Sequence, residues 1–291
     1  VTRFGARLLL LFAGALWLAG CGANNSRTDW PPPSPAIWEV TGADGQKGWL
    51  FGTVHSLPDG FEWRTPAIDT AFGEADVLVV EIAALGDGDA ANDAFMLRAR
   101  RPGLPPVSER VAPADRPALR DFMERAGMTD AALAGMESWA AGLLLANGAR
   151  RNDPGNGVDR ALLAEGKPVV GLESFADQYD RFDRLPEQDQ ADLLVGLAHD
   201  ADSGQDDTHL VAWLTGDEDA LEKQASIGIL AYPNLRKALL TDRNRAWLGR
   251  IEKLVEGGRK PFVAVGAAHM LGGGGLPELL AADGYTVRRI R

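Results

Sequence analysis

The chain has 291 residues, one cysteine, and 41 acidic against 30 basic residues, for a formal charge of −11. A balance that acidic argues against nucleic acid as a partner and against electrostatic adsorption to anionic lipid. A lone cysteine rules out an internal disulfide, so stability must come from an apolar core, which a chain of this length can build.

The first segment carries Arg3 and Arg7 ahead of an apolar run from Leu8 to Leu18, and ends in Leu18-Ala19-Gly20-Cys21. A positive start, a short apolar stretch and small residues before a cut form a secretory signal too short to span a bilayer as a mature helix. Leu-Ala-Gly-Cys resembles the bacterial lipobox, which implies lipidation of Cys21 and leaves no thiol for catalysis. Residues 1–20 are thus expected to be a signal peptide, and residues 21–35, with Asn24-Asn25-Ser26 and Pro31-Pro32-Pro33, a flexible tether. Gly22 after the cysteine implies, by resemblance to the usual sorting rule, an outer-membrane anchor facing the periplasm. Val1 would suit a non-ATG start and, like the lipobox, a bacterial source. Residues 36–291 are expected to form the folded domain.

Ile37–Thr41 and Lys47–Val54 predict two strands around the Gly42-Ala43-Asp44-Gly45 turn. Thr65-Pro66 predicts a capped helix through Glu74, with proline at the favoured first position. Val77–Ile82 is a continuous apolar run interrupted by Glu81, the pattern of a buried parallel strand. Strand, helix and strand together predict one crossover that returns the second strand beside the first, with His55 and Glu81 at the same sheet edge.

Residues 86–154 predict a helical insertion packed over the sheet, which would equally suit a substrate-covering cap, with an acidic, Gly-rich loop from Gly86 to Asp93 and helices at Pro113–Ala126 and Thr129–Arg150. The second of these carries Leu133, Met136, Trp139, Ala140 and Leu143 at helical spacing. After the turn cluster Asn152–Gly157 come a helix from Val158 to Glu165 and a short strand from Lys167 to Glu173. Acidic helices then run to Gly257, the last from Leu235 to Val255. Pro261–Val265 is a strand leading into Gly266-Ala267-Ala268-His269, and a helix from Pro277 to Ala282 precedes a last strand from Tyr285 to Ile290. The expected fold is α/β: a central, mostly parallel sheet flanked by helices, with two Gly-x-x-His units that hint at related half-domains.

Chemistry-bearing residues concentrate at strand ends. Of four histidines, His199 and His209 lie in acidic, polar contexts that place them on solvated helix surfaces. His55 and His269 each end an apolar strand three residues after a glycine, and Glu81 ends a third. In open α/β sheets that carboxyl edge is where ligands bind. Two neutral imidazoles and a carboxylate form a three-ligand set for a divalent ion, with Mn, Co, Fe and Zn all compatible. The metal-free alternative makes one histidine a general base, with Glu81 orienting it and the other histidine on the oxyanion. His-Glu-x-x-His and Gly-x-Ser-x-Gly are absent from the sequence, and the glycines from Gly266 to Gly275 match no phosphate loop.

Leu50-Phe51-Gly52-Thr53-Val54-His55-Ser56-Leu57-Pro58, Glu81, Gly157-Val158-Asp159, Gly166–Glu173, Asp242-Arg243-Asn244 with Trp247, and Val265–His269 resemble the TraB/PrgY/GumN family. That family includes the Tiki proteases and is distantly similar to erythromycin esterases and the ChaN haem-binding lipoproteins. The resemblance spans Ile37 to the C-terminus. It implies a metal-dependent hydrolase of an amide or peptide-like bond, with His55, Glu81 and His269 as catalytic and metal-binding residues. It also implies Arg243 as a cation for substrate or oxyanion and Asn244 as its neighbour. Asp159 and Glu173 match family positions too, with helix capping and strand-end hydrogen bonding as their plain structural roles. A peptide or small molecule is the expected substrate. The rival from another class is a non-catalytic lipoprotein holding a peptide signal or haem, whose iron would need an exposed axial ligand such as His199 or His209.

Overall fold

A computed structural model describes residues 30–291 except 151, 153 and 203–205. The expected signal peptide, Cys21 and residues 21–29 of the tether lie outside the described residues. Strands β1 (Ile37–Thr41) and β2 (Lys47–Thr53) form the expected antiparallel hairpin, closed by the Gly42 N–H on Gln46 O, with Gly45 at φ +81°. Ser34 and Pro35, expected to end the tether, belong to the fold: Ser34 donates its N–H to Leu214 O (2.7 Å), and Pro35 is buried.

Helix α1 (Pro66–Glu74) starts as predicted, with the Thr65 hydroxyl accepting from the Ile68 N–H. After β3 (Val77–Ile82) come α2 (Gly88–Met96), α3 (Arg116–Arg125), α4 (Ser138–Gly148), α5 (Val158–Leu163) and β4 (Val169–Glu173). Next are α6 (Phe175–Asp183), α7 (Glu187–Asp202), α8 (Asp206–Thr215), α9 (Glu218–Gln224), α10 (Pro233–Arg236) and α11 (Asp242–Glu256). The chain closes with β5 (Pro261–Gly266), α12 (Leu276–Ala282) and β6 (Thr286–Ile290).

The sheet order is β4-β3-β5-β2-β1-β6, and only β1 runs against the others. The fold is therefore α/β and mostly parallel, as expected. One expectation fails: β3 does not return beside β2, because β5 from the far end of the chain lies between them and pairs with both. Consecutive strands are neighbours only about two-thirds of the time, and no local pattern announces a strand inserted from 180 residues later in the sequence.

Side chains of the central strands alternate between two buried faces, which is why these strands read as unbroken apolar runs. Leu50, Val77, Val79, Val263 and Val265 pack against Trp247 and Ile251 of α11 and Leu276 and Leu280 of α12. On the other face Phe51 stacks on Trp63 (5.8 Å between ring centres) and meets Phe262 and Trp213 of α8, while Phe72 of α1 sits edge-on to Phe262. The buried Trp213 Nε1–H donates to Gly52 O (2.8 Å), tying α8 to the end of β2.

The insertion also differs from expectation. A helix, α2, occupies the acidic stretch expected to be a loop, with the Asp87 carboxylate capping the Ala90 N–H. Leu133 and Met136 lie in turns before α4, where Gly135 at φ +71° ends any helical run. The insertion does not lie over the sheet. Leu119, Phe122, Trp139 and Leu145 of α3 and α4 share a core with Leu193, Leu194 and Ala198 of α7, and that core holds no strand residue. A helical face needs only another apolar face to bury against, and α7 supplies it. Among the described residues no helix is long and apolar enough to cross a membrane.

Candidate active site

His55, Glu81 and His269 do meet at the carboxyl edge of the sheet. A Cβ placed on Gly266 would lie 3.2 Å from Glu81 Oε1, 3.6 Å from His55 Nε2 and 3.7 Å from His269 Cδ2. The absence of a side chain at Gly266 leaves a small space that these groups surround.

His55 follows β2 and is exposed, with 61 % of its side-chain surface open to solvent. Its loop is pinned from behind by the start of α5: Val158 N–H donates to Val54 O (2.9 Å), and a Cβ on Gly157 would come within 2.6 Å of His55 O. Only glycine permits that approach. The first turn of α5 then brings Asp159 against the ring, and His55 Nδ1–H donates to Asp159 Oδ2 (2.8 Å). Asp159 is buried and does not cap its helix; its carboxylate faces the His55 ring instead. Its other oxygen, Oδ1, is buried with no partner among the described residues. Desolvation of the ring edge that faces the protein pulls the His55 imidazole down, but the hydrogen bond and charge of Asp159 and the charge of Glu81 outweigh it and raise it to about 9. Among the described residues Nε2 has no hydrogen-bond partner, and it faces the space at Gly266.

Glu81 is engaged on both oxygens. Oε1 accepts from Gly266 N–H (2.9 Å), and Oε2 accepts from Arg243 Nη2. Burial would raise this carboxyl, yet the Arg243 charge, with smaller help from His269, His55 and the Gly266 N–H, holds it at about 2. Arg243 is also buried and donates through Nε to Glu173 Oε2 (3.3 Å), through Nη2 to Glu173 Oε1, and through Nη1 to Leu239 O (3.2 Å). Glu173, at the end of β4, is therefore the second carboxylate that fixes this arginine. A π-helical turn from Lys237 to Thr241 joins α10 to α11 and directs both Arg243 and Asn244 inward. Arg243 is expected to meet substrate or an oxyanion, and in this structure its guanidinium bonds to Glu81, Glu173, Leu239 O and His269.

His269 sits on a 3-10 turn after β5 and is 4 % exposed, unlike its counterpart His55. The two Gly-x-x-His units thus end differently. Asn244 donates through its side-chain nitrogen to His269 O (3.2 Å) and Gly274 O (2.7 Å), which forces its Oδ1 towards the ring. His269 Nδ1–H therefore donates to Asn244 Oδ1 (2.5 Å), and Nε2, left with the lone pair, accepts from Arg243 Nη1 (3.2 Å). The ring packs 4.5 Å from that of Trp247, which the Arg243 guanidinium overlies at 4.6 Å. Burial first, then the Arg243 and His55 charges, push this imidazole down to about 3 against the pull of Glu81. It is neutral across the physiological range.

This arrangement bears on a divalent ion. His55 Nε2 and a lone pair of Glu81 Oε1 face the space at Gly266, and His269 Nε2 lies 4.0 Å from Glu81 Oε1, but its lone pair is taken by Arg243. As placed, the three residues do not offer three donors to one ion, and no group of three or more such residues does so among the described residues. The remaining histidines lie elsewhere: His199 is exposed on α7, and His209 pairs with Gln224 (2.9 Å).

Asp159 and Glu173 were the residues whose role the sequence left open. The signal for Asp159 was Gly157-Val158-Asp159 after a turn cluster, in which the glycine marks a close backbone approach.

Comparison with known proteins places these residues in context. The model of the TraB/PrgY/gumN family matches residues 36–289. A Shigella flexneri protein named "Uncharacterized protein YbaP" is 24 % identical over 258 residues, covering 84 % of this chain and 92 % of the relative. The Escherichia coli (strain K12) protein of the same name is 25 % identical over 258 residues, with the same coverage. No solved structure matches.

Proposed function

The chain belongs to the TraB/PrgY/gumN family, and on that premise we propose that it hydrolyses an amide or peptide-like bond, with His55 as the proton-transfer residue. One observation carries the reading: an exposed imidazole, held from behind by buried Asp159, turns its free Nε2 towards a small space beside Glu81. In this reading neutral His55 takes a proton from a water beside Gly266, and the resulting hydroxide attacks the carbonyl carbon. Asp159 and Glu81 stabilise the imidazolium formed, and Nε2–H then protonates the leaving nitrogen. His269, Asn244 and Arg243 act as positioning residues that hold Glu81. The peptide-like substrate class rests on the resemblance to the Tiki proteases.

The pH profile tests this. With His55 raised to about 9, its neutral, base-competent form is the minor one at neutral pH, so kcat/KM is expected to climb through that value. Asp159→Asn removes both the hydrogen bond and the charge. It should move the limb down towards an ordinary imidazole, at roughly 6.5, and lower the plateau. A limb that stays in place in Asp159→Asn would assign the titration to another group.

A divalent ion is the second reading, favoured by the two free lone pairs at His55 Nε2 and Glu81 Oε1. These two residues would hold it, with His269 joining only if Arg243 turned away, and the ion would supply a more acidic bound water.

The same proposal puts the domain on a lipid at Cys21, on the outer membrane facing the periplasm, supported by Leu18-Ala19-Gly20-Cys21 after an apolar run. Cys21→Ser should shift the protein from the membrane to the soluble fraction of a bacterial host. Unchanged fractionation would remove the lipid anchor.

A further inference from the structure

A cleft of about 630 Å³ opens between α6 and α11 at the carboxyl end of β4, and His55, Glu81 and His269 do not line it. Glu173 and Trp247, which touch Arg243 and His269, form part of its wall. Three of its cations are already engaged: Arg184 with Asp180 (2.9 Å), Lys237 with Asp242 (2.5 Å), and Arg250 with Leu172 O (2.6 Å). Arg181 is different. Among the described residues its buried Nε has no hydrogen-bond acceptor, and it lies 3.6 Å from Glu173 Oε2, in ion-pair range only. Its side chain is 27 % exposed, so the fork of the guanidinium can be reached from the cleft.

We propose that this cleft is a second binding site, for a free amino acid or short peptide whose carboxylate pairs with Arg181. A guanidinium fork suits a planar carboxylate better than it suits a second arginine-bound glutamate at 3.6 Å. The same walls carry Asp177, bonded to Ser174 through Oδ2, and Asp189, bonded to the neutral Asn234 amide; both would repel a simple anion but attract the ammonium of a zwitterion. The ligand's charge reaches the site already described through shared partners. Arg181 and Arg243 both rest on Glu173, and Arg243 holds Glu81 beside His55. This proposal does not depend on hydrolysis at His55.

Calorimetric titration of the full soluble domain tests it, with the dipeptide Ala-Ala as probe and doubly blocked N-acetyl-Ala-Ala-amide as control. One site is expected for the free dipeptide, weakened at least tenfold by Arg181→Met and unchanged in His55→Ala. Ala246→Trp, on the exposed wall of α11, should block the cleft without altering its charge, and covers the case in which Arg181→Met disturbs the fold. Absence of heat with wild type at millimolar dipeptide would overturn the proposal. So would equal binding of the blocked peptide, or binding lost in His55→Ala but kept in Arg181→Met and Ala246→Trp. That last result would move the ligand to the His55 site.

Discussion

Arg243→Met is expected to lower the unfolding free energy by about 3–5 kcal/mol, the usual consequence of removing one partner from a buried ion pair. Arg243 answers two carboxylates and a ring nitrogen at once: Glu81, Glu173 and His269 Nε2. Methionine fills much of the volume but leaves all three without their donor. Urea unfolding would measure the loss, and a deficit under ~1 kcal/mol would mean that water reaches these carboxylates after all. Arg243→Lys should recover only part, because one ammonium cannot serve both acids with the fork of a guanidinium. The pH dependence has a definite sign. Glu81 is held at about 2, below its unfolded value, so its stabilisation is present above that unfolded value and is lost as pH falls through about 2. His269, depressed to about 3, works in the same direction, since below roughly pH 6.5 the unfolded chain takes up a proton that the fold refuses. Wild type should thus weaken on acidification. The deficit of Arg243→Met should shrink, because protonating Glu81 relieves unpaired charge in the variant.

The two histidines should separate in a way their matching motifs do not suggest. His55→Ala is expected to cost ~10²–10⁴-fold in rate, the range for a general base, with a smaller loss of stability than His269→Ala, set by the partner that buried Asp159 loses. His55 is open to solvent, and water can replace it on Asp159. His269→Ala should destabilise by about 2–4 kcal/mol, from a cavity beside Trp247 and from Arg243 and Asn244 losing a buried partner. Its rate loss would follow from a displaced Glu81. Metal content of wild type and both variants belongs in the same experiment. A stoichiometric ion lost from both variants would place the two histidines on one centre. It would require Arg243 to leave His269 and would replace the His55 base by an ion-bound water.

Much of this protein is written locally. The runs Trp49–Thr53, Val77–Val80 and Pro261–Val265 could only be buried strands, because both of their faces are apolar. Thr65-Pro66 and the Gly42–Gly45 turn specify their own geometry within a few residues. Strand ends bearing His55, Glu81 and His269 follow from the same patterns, so the sequence alone determined the α/β class and the edge at which these three residues meet. It could not determine that β5 would separate β2 from β3, or that α3 and α4 would bury their faces on α7, since such pairings join residues far apart in the chain. Nor could it distinguish the fates of the two Gly-x-x-His motifs. An extended loop leaves His55 in solvent with Asp159 behind it, while a 3-10 turn folds His269 beneath Trp247 with both nitrogens occupied. That difference was decided by α5 and α11, which arrive from elsewhere in the sequence: hydrogen-bond partners and burial belong to the assembled fold, and a motif carries neither.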